Sequence, residues 1–188
     1  IDNGFKLQKE SFLNEDASSL KDRINDLNII KKALLKYQHE LSSAMNEDFG
    51  NRNQMESLFG DILPLINTIN YQIKKLPFWM RPSRRKPGLL LSPAKVEIHY
   101  QPLGVIGLSV PWNFPVQLSI LPLITALSSG NRAMIKLSEF TPKTNTILQK
   151  LIDECFEKEK VMLVHGDSET AEYFTTLPFD HILFTGST

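Results

Sequence analysis

Cysteine is nearly missing: Cys155 is the only one in 188 residues. That excludes a disulfide framework and a cysteine-based zinc site, and makes a reducing, cytoplasmic setting the natural expectation. No apolar run approaches the roughly 18–20 residues of a membrane-crossing helix. The richest stretch, Leu103 to Leu127, is broken by Gly104, Gly107, Pro111, Asn113, Pro115 and Pro122. The start, Ile1 to Phe5, has neither the basic leader nor the apolar core of a secretory signal. Neither sign of charge prevails, with 21 basic and 21 acidic side chains, so the broad basic face of a nucleic-acid binder is lacking. His39, His99, His165 and His181 are scattered without metal-ligand spacing. There is no internal repeat and no GxGxxG fingerprint. What is there is ordinary globular usage, 41% hydrophobic and 22% charged, which excludes a disordered or low-complexity chain. The length suits one large domain, or one domain with an arm.

The charges are unevenly placed. The middle of the chain is basic and the end acidic, while residues 101–135 hold one charge, Arg132, and are expected to be buried. Leu20, Ile24, Leu27, Ile30, Leu34, Tyr37, Leu41 and Met45 recur at helical spacing, with Ser18 or Ser19 to cap the start and Gly50 beyond the end. A second helical stretch covers about 54–75, with a break expected near Gly60–Leu63 because Pro64 lies inside it. Residues 77–102 read as a proline-rich arm followed by a half-exposed strand, in which Val96, Ile98 and Tyr100 alternate with Lys95, Glu97 and His99. The arm's Lys74, Lys75, Arg81, Arg84, Arg85 and Lys86 form a solvated basic patch, with no nucleic-acid partner expected.

From 103 onward the pattern changes. Gly104–Val110 is a continuous apolar run, typical of a strand buried on both faces. Helices are expected over 115–128, 142–156 and 168–177, and strands over 133–136, 161–164 and 181–185. Strands alternating with helices predict an α/β fold built on a parallel sheet. The division expected is 1–76 helical, 77–102 arm and strand, and 103–188 an α/β nucleotide-binding part. The absence of an initial Met, and an end at Gly186-Ser187-Thr188 directly after a strand, predict a truncated chain.

Three segments offer chemistry. In Val110-Pro111-Trp112-Asn113-Phe114-Pro115 a buried strand meets a helix start, where ligands of open α/β sheets bind and where an amide can donate to oxyanion charge. A capping Asn beside a packed Trp is the plainer reading. Lys136 and Glu139 follow the next strand, where a carboxylate suits ribose hydroxyls; taken alone they read as a surface ion pair. Phe184-Thr185-Gly186-Ser187-Thr188 is half a phosphate loop. Cys155, beside Phe156 on a helix, reads as a small core residue.

In order and spacing these segments, with Gly130-Asn131 and Lys136-Leu137-Ser138-Glu139-Phe140-Thr141-Pro142 between the first and the last, resemble the aldehyde dehydrogenase superfamily. The stretches Phe179–Gly186 and Leu76–Pro82 resemble its class 3 branch, which holds the bacterial coniferyl aldehyde dehydrogenases. The resemblance implies a Rossmann-like fold and NAD- or NADP-dependent oxidation of an aldehyde to a carboxylic acid. It makes Asn113 the oxyanion donor. Lys136 and Glu139 become the adenosine-ribose contacts, and Gly186 and Ser187 the pyrophosphate contacts. Val110, Pro111 and Trp112 would line the cofactor crevice, with Gly166 beside the adenine. It also implies an aldehyde substrate, a homodimer at full length, and a nucleophilic Cys and general-base Glu beyond Thr188. The chain alone is therefore expected not to oxidise aldehydes. The competing expectation is a short, non-catalytic nucleotide-binding or interaction module.

Overall fold

A computed structural model describes residues 1–186. Helix α1 (Asp2–Asn14) has no counterpart in the hydrophobic pattern, because only Phe5 and Gln8 of it are buried. Its position is set by Gln8, whose amide donates to the carbonyls of Ala133 and Lys158 at 3.0 Å each. Helix α2 (Leu20–Phe49) begins where the sequence places a cap. Asp22 N–H donates to the Ser19 hydroxyl, while Ser19 N–H donates to the Asp22 carboxylate. This reciprocal arrangement satisfies donors that a helix end leaves unpaired. The helix stops at Gly50, whose φ of 79° suits glycine.

The expected break at Gly60–Leu63 takes another form. Helix α3 (Gln54–Ser57) passes into a π-helical turn (Leu58–Ile62) and then into α4 (Leu63–Trp79). Pro64 lies in the first turn of α4, where its missing N–H costs nothing. The irregularity is an inserted residue in the turn, not a kink at the proline. Helix α4 runs beyond the boundary expected at 76, through Pro77.

In the arm, β1 (Ser83–Arg85) pairs antiparallel with β2 (Val96–Ile98). The alternation predicts one covered face, but every residue of β2 is exposed. A two-stranded ribbon has too little surface to bury its own side chains, and among the described residues nothing covers it.

The core is a four-stranded parallel sheet in the order β5-β4-β3-β6, formed by β3 (Val105–Ser109), β4 (Arg132–Lys136), β5 (Val161–Val164) and β6 (His181–Phe184). Helices α5 (Pro115–Ser128), α6 (Pro142–Cys155) and α7 (Ser168–Thr176) connect them. Side chains alternate across the sheet. Ile106, Leu108, Ala133, Ile135, Val161 and Leu163 pack with α2, α4, α5 and α6. Val105, Met134 and Val164 meet Phe5 of α1 and Phe174 of α7 on the other face. All five residues of β3 are buried, as the apolar run predicts, whereas β6 at the sheet edge is exposed.

This order places a topological switch at β3. The chain moves outward to β4 and β5, then returns to lay β6 on the other side of β3. Ligands of open parallel sheets bind outside the carboxyl ends of the strands at such a switch.

Candidate active site

The strand ends are stitched together just where the predicted residues lie. Val110 N–H donates to the Lys136 carbonyl at 3.2 Å, Leu137 N–H to Val164 at 3.0 Å, and Thr185 N–H to Ser109 at 3.0 Å. Val110, Pro111, Trp112 and Asn113 follow β3, Lys136 ends β4, Gly166 follows β5, and Gly186 follows β6. These residues, and Glu139 in the loop after β4, thus lie along the carboxyl ends of the strands, the crevice side of an open parallel sheet. Ser187 lies outside the described residues.

Helix α5 begins with a difficulty that the structure resolves from a distance. Phe114 precedes it and offers no capping side chain, and Pro115 has no N–H to satisfy. The carboxylate of Asp61, from the π-helical turn, accepts from Gln117 N–H at 2.9 Å and also from Val116 N–H. Asp61 is fully buried, and Arg52 Nη2 donates to its other oxygen at 2.8 Å. Burial pushes the Asp61 carboxyl up, against the pull of the Gln117 N–H, of Arg52 and of the Val116 N–H. Removing one member of such a pair leaves an uncompensated buried charge, typically at a cost of about 3–5 kcal/mol.

Asn113 lies between these fixed points. Its carbonyl accepts from Arg52 Nη1 at 3.0 Å, and its Oδ1 accepts from Phe114 N–H at 3.1 Å. The Nδ2 group has no partner among the described residues, and the residue is exposed. Asn113 therefore does not cap α5; Asp61 does. Trp112 is half exposed and lies against Phe49, ring centroids 6.0 Å apart.

The Lys136–Glu139 pair is not a surface ion pair. The Lys136 side chain is only 3% exposed; its Nζ donates to the Leu137 carbonyl at 2.8 Å and stands 3.8 Å from the Glu139 carboxylate. Burial lowers the Lys136 pKa, with Glu139 and Asp167 opposing. Helix α6 repeats the device of α5. Thr141 precedes it without a side-chain cap; Asp48 of α2 accepts from Lys143 N–H at 3.0 Å and Thr144 N–H at 2.8 Å. Gly166 has φ of 140°, and a Cβ there would stand 2.3 Å from Thr170 Oγ1, so the turn after β5 requires glycine.

Cys155 closes α6, at the end of the helix remote from the crevice, because a helix between parallel strands runs back to their amino ends. It is half-buried, and burial pushes its thiol up to about 11. A thiol so protonated at neutral pH is a poor nucleophile. A cavity of about 900 Å³ lies elsewhere, between α4, the arm and the end of α5.

The profile of the aldehyde dehydrogenase family matches residues 4–188. The chain belongs to that family. A probable coniferyl aldehyde dehydrogenase of Pseudomonas aeruginosa is 41% identical over 184 residues, covering 98% of this chain and 39% of that protein. Aldehyde dehydrogenase family 3 member H1 of Arabidopsis thaliana is 34% identical over 151 residues, 80% of this chain and 31% of its own. The solved structure of Staphylococcus aureus AldH in a substrate-bound state superposes with a TM-score of 0.94 at 30% identity, covering 99% of this chain and 40% of that one. The chain thus spans well under half the length of these aldehyde dehydrogenases, and its class 3 resemblance and Rossmann-like fold hold. Among the described residues, no helix is long and apolar enough to cross a membrane.

In this aldehyde dehydrogenase chain the sequence places Asn113, Lys136 and Glu139 after buried strands, but gives no sign of the roles of Arg52, Asp61 and Asp48. The available signal was weak: Asp61 directly after Gly60, and Arg52 just before a stretch that reads as one amphipathic helix.

Proposed function

We propose that this chain is the N-terminal part of an NAD- or NADP-dependent aldehyde dehydrogenase, and that its crevice forms one wall of the cofactor and catalytic cleft. The observation carrying the reading is the unpaired Asn113 amide just past the end of the switch strand, with Lys136 buried at the end of the neighbouring strand. When bound, the nicotinamide cofactor supplies the hydride acceptor. Lys136 Nζ spends one hydrogen on Leu137 and keeps others for a ribose hydroxyl. The Glu139 carboxylate, 37% exposed, accepts from the same sugar. Gly166 lets the adenine approach the backbone, and Val110, Pro111 and Trp112 shape the inner wall. Gly186, and Ser187 beyond the described residues, are assigned to the pyrophosphate.

Asn113 Nδ2 donates to the aldehyde oxygen as that oxygen takes up negative charge on thiol addition. The nucleophilic Cys and general-base Glu lie outside these 188 residues, and Cys155 takes no part. The substrate is an aldehyde, coniferyl or another aromatic or aliphatic one, and the product is the carboxylic acid formed through a thiohemiacetal. The exposed ribbon of β1 and β2 joins a homodimer in the full-length protein, which works in the cytoplasm.

The intact protein, given NAD+ or NADP+ and coniferyl aldehyde or simple aldehydes, is expected to form reduced cofactor and carboxylic acid in equal amounts, while the 188-residue chain forms neither. Cofactor reduction without acid, or turnover by the short chain, would overturn the reading. Glu139→Gln in the intact protein should shift the NAD-to-NADP preference toward NADP by roughly fivefold, the effect of removing about 1 kcal/mol of repulsion from a 2′-phosphate. An unchanged ratio of kcat/KM values would separate Glu139 from the ribose.

A further inference from the structure

We propose that Arg52 and Asp61 are positioning residues for the reaction, fixing the Asn113 backbone so that its free amide is aimed at the developing oxyanion. This rests on the Asn113 reading above. The pair is buried, with side-chain exposures of 5% and 0%, yet it lies next to the crevice. One guanidinium holds two different things: Nη2 the helix-capping carboxylate and Nη1 the Asn113 carbonyl. Asp61 in turn ties down the first N–H groups of α5. Asn113 is therefore clamped on its carbonyl side by Arg52 and, through Phe114 and α5, on the following side by Asp61.

The packing repeats the arrangement. The guanidinium lies between the rings of Phe49 and Phe114, 4.9 and 5.0 Å from their centroids. Phe49 also touches Trp112, so Arg52 reaches the residues on both flanks of Asn113. The π-helical turn presses its backbone into this cluster: a Cβ at Gly60 would stand 3.2 Å from Phe114 Cε1 and 3.7 Å from Arg52 Nη2. The extra residue in that turn brings Asp61 round to α5. A π-turn weakens a helix and persists mostly where geometry is needed for function. A buried ion pair is also a poor source of net stability, since apolar side chains of similar volume do as well or better. Direction is what it supplies: a planar fork binds carboxylate and carbonyl together, which a flexible ammonium does not reproduce.

The test is a double-mutant cycle in the full-length enzyme. Arg52→Lys keeps the charge and loses the fork. It is expected to lower kcat on the order of tenfold, as small misplacements of a catalytic group do, with KM for the cofactor changed less than about twofold. In an Asn113→Ala background the same change should lower kcat less than about twofold, because there is no amide left to aim. Asp61→Asn, which keeps an acceptor for Gln117 N–H, should behave alike. Equal losses in both backgrounds would make the pair merely structural and overturn the proposal, while leaving the Asn113 reading intact. Full turnover in Asn113→Ala alone would overturn that reading, and this proposal with it. If neither Arg52→Lys nor Asp61→Asn yields folded enzyme, the pair is a folding determinant and the proposal fails.

Discussion

Asn113→Ala in the intact enzyme is expected to cut turnover by about 10²–10³-fold while changing cofactor affinity little, the usual cost of removing one oxyanion donor. The expectation comes from how the side chain is held. Its Oδ1 is committed to Phe114 N–H and its carbonyl to Arg52, while Nδ2 has no partner among the described residues. A donor fixed in advance reorganises little when charge develops, so its contribution falls in the transition state. Alanine removes the donor and the acceptor of Phe114 N–H, but leaves the cap of α5 in place, since that cap is Asp61. Single-turnover rates, with cofactor binding measured separately, decide the matter. Turnover within a factor of about two of the wild type, well short of that cost, would remove Asn113 from the chemistry.

Gly166→Ala should destabilise the protein by a few kcal/mol, roughly 1–3 from the backbone conformation and a similar amount from overlap. At φ of 140° a Cβ would stand 2.3 Å from Thr170 Oγ1 and 2.6 Å from its Cβ. Thr170 has no room to retreat cheaply, because its N–H and hydroxyl both donate to the Asp167 carboxylate at 3.0 Å, the cap of α7. Gly50→Ala is the matched control: φ is 79° there, but nothing lies within 4 Å, so only the conformational part is lost, about 1 kcal/mol. Denaturant midpoints of the two variants measure the difference. Equal midpoints would show that the turn after β5 relaxes freely.

The second half of the chain was legible because burial on both faces leaves a plain signature in Val105–Ser109, inside an apolar run between Gly104 and Pro111, and because short strands alternate with helices after it. The strand-end position of Asn113 and Lys136 followed from that alternation, whereas Gly166 came only from the family resemblance. What the sequence hid are interactions between distant segments. Asp61 lies 56 residues before the Gln117 N–H it caps, and Asp48 lies 96 before Thr144. Both replace the local caps that residues before Pro115 and Pro142 would be expected to supply. Local periodicity carries no trace of such pairing. Nor does it show that Lys136 is buried, since a lysine beside a glutamate reads as solvent-facing. Helix α1 escaped for a related reason: a single buried amide, Gln8, does the anchoring that an apolar stripe usually does.

These hidden contacts share one consequence. The loops after β3 and β4 are held by carboxylates from the helical first half, so that half is a structural part of the crevice. A crystal structure of the intact protein with NAD+ or NADP+ bound tests this most directly. The account predicts ribose hydroxyls within hydrogen-bond distance of Lys136 Nζ and the Glu139 carboxylate, and Asn113 Nδ2 facing the space beside the nicotinamide. A nucleotide seated away from the strand ends, for instance in the 900 Å³ cavity beside the arm, would contradict it.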